Sequence, residues 1–328
     1  MQYGSIAGLS KSVSRLIHGA IALNNETAER EFPLLDKVFE YGCTTFDTAY
    51  IYGGGQTDVQ LGRWIRERGI RDKVVILAKG AHPGPQGAKV TPEDITSDLN
   101  ETLERMQLDN VDLYVLHRDD ESVPVGPIVE ILNQHLKAGK ISAFGGSNWT
   151  HERIGEANAY ALAHGLVPFA ATNPNYSLAA QIVPPWEGCV TVSGPENAEA
   201  RAWYAEQKIS VLAWSSLASG FFSGRISRNS LNPPSELGGT QEFLNETCRR
   251  SYCSEENFQR LDRVKQLAHD NGATIPQVAL AYIFHSPMNV FALTASANAD
   301  EFLSNIDALD LTLSAAEVAW LDNGTPIP

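Results

Sequence analysis

The sequence predicts a closed (β/α)8 barrel of the TIM type, and three observations carry the prediction. Short apolar runs with strand character alternate eight times with amphipathic segments of helical period, which by the right-handed βαβ rule builds one parallel sheet. Val74-Val75-Ile76-Leu77-Ala78 is continuously apolar, as a strand covered on both faces must be. No Gly-x-Gly-x-x-Gly turn follows the first strand, which removes the usual dinucleotide site of an open doubly wound sheet. The 328 residues contain no second composition regime, so a single barrel domain over 1–328 is expected.

Taken in order, a polar start leads to a first strand at Arg15-Leu16-Ile17-His18-Gly19-Ala20. A helix over 31–41 aligns Leu34, Leu35, Val38 and Phe39 and stops before Gly42. Cys43-Thr44-Thr45-Phe46 forms the second strand, ending at Asp47, and a helix at 57–68 follows. The third strand, 74–78, ends in Lys79. Thr91-Pro92-Glu93-Asp94 opens the next helix with a hydroxyl cap, a first-turn proline and acids where the helix dipole favours them. The fourth strand, Val111 to Leu116, ends in His117, and a helix through Ile128, Ile131, Leu132 and Leu136 stops near Gly139.

The fifth strand, Ile141 to Gly146, ends in Ser147-Asn148 and is followed by a helix over 151–164. The sixth, Phe169 to Thr172, ends in Asn173 and precedes a long loop holding Trp186, then a helix at 197–207. The seventh, Ile209 to Ala213, leads to Trp214-Ser215 and a Gly/Ser/Pro/Asn-rich insertion over 218–254. Helices at 255–271 and 275–285, the eighth strand from Asn289 to Leu293, and a helix at 299–306 complete the pattern. A capping box from Ser314 to Glu317 opens a final short helix.

Bulk properties narrow the function. A net charge of −14 argues against nucleic acid and anionic membrane surfaces as partners. The N-terminus lacks a basic, apolar leader, and no apolar run reaches the roughly 20 residues of a membrane span. The four cysteines show no Cys-x-x-Cys spacing and read as free thiols of a reducing cytoplasm. A cytoplasmic enzyme for a small molecule is expected, and a monomer, because a closed barrel exposes no sheet edge.

In such a barrel, chemistry gathers at the C-terminal ends of the strands. Asp47, Lys79, His117, Asn148, Asn173 and Trp214 end six successive strands, and Tyr52 lies in the loop beyond Asp47. Each alone has an ordinary reading as a turn, surface or core residue; the joint register does not. Lys79 is a cation able to lower the pKa of the Tyr52 phenol, and Asp47 would hold that lysine. Tyr52 can then deliver a proton to the oxygen of a carbonyl under reduction, which His117 would orient. No side chain donates hydride, so a cofactor must. Asn148 and Asn173 suit a carboxamide, and Trp214 suits stacking on a flat ring. The chain lacks His-Glu-x-x-His and paired-Cys motifs, and a lysine among the ligands would repel a cation, so no metal is expected.

With these residues assembled, the sequence resembles the aldo-keto reductase superfamily over nearly its whole length. The resemblance rests on Phe46-Asp47-Thr48-Ala49 with Tyr52-Gly53, Leu61-Gly62, Lys79, Asp112-Leu113-Tyr114 leading to His117, Gly145-Gly146-Ser147-Asn148, Asn173 with Asn175-Tyr176-Ser177-Leu178, and Trp214 through Gly220. It implies a catalytic tetrad of Asp47, Tyr52, Lys79 and His117. It also implies nicotinamide contacts from Ser147, Asn148 and Asn173, stacking by Trp214, and further cofactor contacts at Ser215, Leu217, Ser219, Ser296, Glu301 and Asn305. Asn173 and Trp214 stand where glutamine and tyrosine are common, and Asp58 replaces a frequent glutamate, a change read as minor.

The cofactor segment departs from the pattern. Ala295, Ala297 and Glu301 occupy positions that usually carry the basic partners of a ribose 2′-phosphate. NADP(H) is the family's expectation, and a carboxylate that repels phosphate but can accept from a free 2′-hydroxyl raises NAD(H) to parity. Arg225 is the remaining candidate for a phosphate contact. His82, Arg118, Asp119, Trp149 and Trp186 fall in the mouth loops and are the candidate substrate contacts, a mixture suited to a sugar or polyol-type carbonyl. An NAD(P)(H)-dependent oxidoreductase is the leading expectation; a nucleotide-binding redox sensor with little turnover is the alternative.

Overall fold

The computed structural model describes residues 1–85, 87–231 and 240–327. It opens with a small antiparallel hairpin, β1 (Tyr3–Gly4) and β2 (Val13–Ser14), hidden in the sequence because each strand has two residues. Ile6 and Val13 of this segment share a core with Ile17, Val75, Leu77, Leu113 and Phe291, so the hairpin plugs the N-terminal end of the barrel.

Eight parallel strands close that barrel on itself in chain order. They are β3 (Leu16–Gly19), β4 (Thr45–Asp47), β5 (Val75–Gly80), β6 (Val111–Leu116), β7 (Ile141–Ser147), β8 (Ala171–Asn173), β9 (Ser210–Ala213) and β10 (Val290–Thr294). The last pairs back to the first, with Leu293 opposite Ile17. Between them run α1 (Ala28–Glu40), α2 (Gln56–Arg68), α3 (Pro92–Met106), α4 (Val125–Lys137), α5 (His151–Ala163) and α6 (Ala198–Gln207). After β9 come α7 (Thr240–Tyr252), α8 (Glu255–Asn271) and α9 (Ile275–Phe284), and after β10 α10 (Ala299–Ile306) and α11 (Ala315–Asn323).

The expected closed barrel is the observed one, and the differences are local. The sixth strand begins at Ala171 rather than Phe169. The 218–254 insertion contains α7, whose polar sequence offers too few apolar residues to announce a helix; residues 232–239 of it lie outside the described residues. The caps read from sequence are in place. Thr91 accepts from the Asp94 amide above Pro92, and Ser314 and Glu317 form the capping box of α11.

Strand residues alternate between two cores because successive side chains point to opposite faces. Phe46, Ile76, Ala78, Tyr114, Leu116 and Phe144 pack outward against the helices. Val75, Leu77, Leu113, Val115, Ala143, Ala171 and Leu212 fill the barrel interior. One two-residue step beyond that inner layer stand Lys79, His117, Asn173 and Trp214, and Asp47 pairs in register with Leu77. The barrel's pleat therefore aims these side chains into the same mouth.

Gly62 lets α2 press against the end of α3: a Cβ there would lie 2.3 Å from the Met106 carbonyl oxygen. That neighbour is backbone and cannot step aside, so Gly62→Ala is expected to cost about 1–3 kcal/mol. Urea unfolding of the variant measures it, and a midpoint equal to wild type would show that the helices separate freely.

Candidate active site

At the centre of the mouth, Lys79 is buried and its ammonium contacts the Asp47 carboxylate directly. A second ammonium hydrogen goes to the Thr48 carbonyl at 3.0 Å. Burial alone would lower the lysine's pKa, but Asp47 and then Tyr52 more than reverse it, and the net direction is upward. Burial pushes Asp47 up while Lys79 draws it back. The lysine's direction decides the pair's state, because a cation between a carboxylate and a carbonyl oxygen is held by both.

Tyr52 begins a 3-10 turn, Tyr52–Gly55, whose Gly53, Gly54 and Gly55 have φ of 57, 64 and 91°. These left-handed conformations favour glycine, and at Gly55 a Cβ would also strike the Arg105 guanidinium at 2.4 Å. The turn folds the phenol ring back over Lys79, whose Nζ lies 5.0 Å from the ring centroid. His117 meets the same ring edge-on, with centroids 6.0 Å apart. The expectation of a depressed phenol pKa is corrected by this burial. Burial raises it most, Lys79 lowers it, Asp47 raises it again, and the net direction is up from 10.0. Tyr52 is therefore a protonated phenol at neutral pH.

Burial, then the charges of Lys79 and Arg118, push His117 well below 6.5, so its ring is neutral. Its Nδ1 is sealed in without a hydrogen-bond partner among the described residues. His82 stands against it, ring centroids 5.0 Å apart.

Behind these groups lies a shell that sequence reasoning missed. Asp58, read as a minor change, is fully buried and accepts from Thr48 Oγ1 at 2.6 Å and from Thr102 Oγ1 at 3.3 Å. It thereby ties the Asp47–Thr48 strand end to α2 and α3. Arg105 donates to the Tyr50 carbonyl at 2.9 Å and lies over the Tyr50 ring, fixing the start of the loop that carries Tyr52. The signal was present as the spacing of Asp98, Glu101, Thr102 and Arg105 along one side of α3.

On the other side of the mouth, Ser147, Asn148 and Asn173 converge. Ser147 Oγ donates to the Asn173 carbonyl oxygen at 2.9 Å, and Asn173 Nδ2 donates to the Leu212 carbonyl. Asn148, at φ 56°, donates from Nδ2 to Ser147 Oγ and the His117 carbonyl and accepts from the Val190 amide at 3.2 Å. Trp214 already stacks, against Trp186, with centroids 5.3 Å apart and planes 23° apart. Its Nε1 is buried without a hydrogen-bond partner among the described residues. Beyond it Ser215, Ala218 and Ser219 all adopt positive φ, an uncommon cost for residues with a Cβ and one that clusters at ligand sites. Ser215 and Ser219 hydroxyls meet at 3.3 Å, and Leu217 is half-buried beside them.

After β10, Ser296 and Asn305 are buried and joined by a 3.4 Å hydrogen bond. Glu301 accepts from the Ala297 amide at 2.9 Å at the start of α10. Arg225 is exposed. Among the mouth residues, Arg118 lies over the Trp186 ring at 5.8 Å. Trp149 does not reach the mouth. It is fully buried, donates its indole N–H to the Arg118 carbonyl at 3.1 Å and packs on Phe169, so it supports the loop and is closed to a substrate. Asp119 is likewise turned away, paired with Arg153 at 3.0 Å. Among the described residues no three His, Cys, Asp or Glu side chains converge as a metal site would need, and all four cysteines are free.

Comparison with known proteins gives a consistent match. A model of the "Aldo/keto reductase family" matches residues 15–324. A probable voltage-gated potassium channel subunit beta of Arabidopsis thaliana is 25% identical over 95% of this chain and 92% of its own length. The uncharacterized oxidoreductase YrpG of Bacillus subtilis (strain 168) is 24% identical over 100% of this chain and 97% of its own. Among solved structures, a thermostable aldo-keto reductase, Tm1743, crystallised with the inhibitor epalrestat, superposes with a TM-score of 0.73 at 20% identity, covering 98% of this chain and 99% of that one.

Proposed function

Because the chain belongs to the aldo/keto reductase family, we propose that it interconverts an aldehyde or ketone and its alcohol, with Tyr52 as the proton donor and acceptor. The observation that carries this reading is the buried Lys79–Asp47 pair beneath the Tyr52 ring, with Nζ 5.0 Å from the centroid. A bound reduced nicotinamide supplies the hydride that no side chain can. The residues present fit such a group. Trp214 offers an aromatic face with an unpartnered indole N–H, Ser147 and Asn173 offer polar strand ends, and Ser215 to Ser219 form a left-handed turn. Asn148 joins them only by releasing one of its present partners, of which the Val190 amide is the nearest loop contact.

As the carbonyl carbon gains hydride, its oxygen becomes basic and takes the Tyr52 proton. Lys79 stabilises the phenolate left behind, and Asp47 keeps Lys79 charged and in place. His117 donates a neutral hydrogen bond to the same oxygen. Its Nδ1 has no acceptor, so we assign the hydrogen to Nε2. The family prior is NADP(H), but the carboxylate of Glu301 at the start of α10 opposes a 2′-phosphate, which gives weak discrimination or a preference for NAD(H). Arg225 remains the candidate cation for such a phosphate.

The test is oxidation of NADH and of NADPH over a panel of aldehydes, ketones and sugars, with dissociation constants for both cofactors. Turnover is expected, with NADPH bound less than tenfold more tightly than NADH; a larger ratio refutes the cofactor reading. The plant relatives described as probable channel beta subunits are the observation behind a second reading, a nucleotide-binding redox-sensing regulatory protein with little turnover. Tight cofactor binding with no turnover on any carbonyl would select it.

A further inference from the structure

Arg118 follows β6 directly after His117, is only 9% exposed, and lies over the Trp186 ring close enough for its charge to act on Tyr52 and His117. In the closed strand order β6 stands three places from β9 and four from β10, and the Trp186 ring stands between Arg118 and the Trp214 that precedes Ser215. Its one side-chain hydrogen bond among the described residues runs from a terminal guanidinium nitrogen to the His117 carbonyl oxygen at 2.8 Å. It pairs with no carboxylate among them. Asp119, next in sequence, gives its carboxylate to Arg153 at 3.0 Å.

Among the described residues, the groups around Arg118 do not balance its charge. Burial pushes the Cys189 thiol up to about 11, so it carries no charge at neutral pH. Tyr52 is a protonated phenol, and burial holds His82 and His117 in their neutral forms. Lys79 and Asp47 cancel each other. One buried positive charge remains among the described residues, walled by the Trp186 ring at 5.8 Å and by Gly188, where a Cβ would lie 3.7 Å from Arg118 Cδ. A cation taken out of water in this way calls for an anion from the ligand, and a guanidinium fork matches a planar carboxylate.

We propose that Arg118 is a substrate-anchoring residue and that the preferred substrate is an aldehyde or ketone bearing one carboxylate. The position beside His117 places the anion close to the reacting carbonyl. A monoanion neutralises the site, whereas a phosphate dianion leaves surplus charge against the Trp186–Trp214 stack. The inference rests on the carbonyl-reduction reading for its chemistry, but not for the anion site itself.

The experiment compares succinic semialdehyde with its methyl ester, and glyceraldehyde with its phosphate ester, in wild type, Arg118→Gln and Arg118→Lys at saturating reduced cofactor. Wild type is expected to favour the acid over the ester at least tenfold in kcat/KM. Arg118→Gln should collapse that ratio at least tenfold, and Arg118→Lys should recover part of it. A wild-type ratio near one, or a ratio that survives Arg118→Gln, overturns the proposal. A greater gain from phosphate than from carboxylate overturns the class. Should no carbonyl be turned over, the carbonyl-reduction reading fails by itself. Calorimetric titration of the wild type with butyrate and with butyramide then decides the anion site. Butyrate binding that the amide does not reproduce sustains it, and equal or absent binding overturns it.

Discussion

Tyr52→Phe is expected to lower kcat for carbonyl reduction about a hundred- to ten-thousandfold, the usual worth of a positioned general acid. The change removes one oxygen and leaves the ring that packs over Lys79 and against His117, so the site's shape survives. The direction of the phenol's pKa adds a signature. Burial, ahead of the opposing pull of Lys79, raises it from 10.0. Reduction needs the protonated phenol, so wild-type kcat should stay flat through neutral pH and decline only above the ordinary tyrosine range of about 10. His117, already neutral, adds no inflection in that window. Stopped-flow or steady-state rates across pH check both points. A Tyr52→Phe enzyme with full activity removes Tyr52 from the mechanism, and an inflection near neutrality would assign the proton to another group.

Asp47→Asn is expected to cost about 3–5 kcal/mol of stability, because it leaves the Lys79 ammonium buried without its counter-charge. The amide keeps the shape but loses the charge, so the effect is electrostatic. Replacing both partners, Asp47→Asn with Lys79→Met, should return most of the loss, since a neutral pair needs no compensation. Chemical unfolding of the three variants closes this cycle. If Asp47→Asn costs less than about 1 kcal/mol, Lys79 reaches water or another partner, and its role in holding Tyr52's environment needs a different account.

The barrel was legible in the sequence because its strands are doubly covered and its helices amphipathic, so the alternation of patterns is the architecture. The strand-end positions of Asp47, Lys79, His117, Asn173 and Trp214 were legible for the same reason: the pleat carries the last four inward one step beyond Leu77, Val115, Ala171 and Leu212, and sets Asp47 in register with Leu77. The features that stayed hidden depend on contacts between elements far apart in sequence. The Thr48–Asp58–Thr102 network spans a strand end and two helices, and nothing local to Asp58 marks it. Trp149 read as a mouth residue because it follows Asn148, yet the chain turns there and buries it under Arg118. The sign of the Tyr52 shift was missed because the cation is visible in sequence and the burial opposing it is not.

The Trp186–Trp214 pair gives the molecule an optical property of its own. Two indoles with centroids 5.3 Å apart and planes within 23° have transition dipoles close enough to couple. An exciton couplet in circular dichroism is the expected signature of such a pair, and a wild-type spectrum without one would show that the two dipoles do not couple. Any flat ring that slides between them or displaces Trp186 must break that couplet. Loss of that couplet on adding a ligand is then the expected sign that the mouth is occupied, read without a label and without turnover.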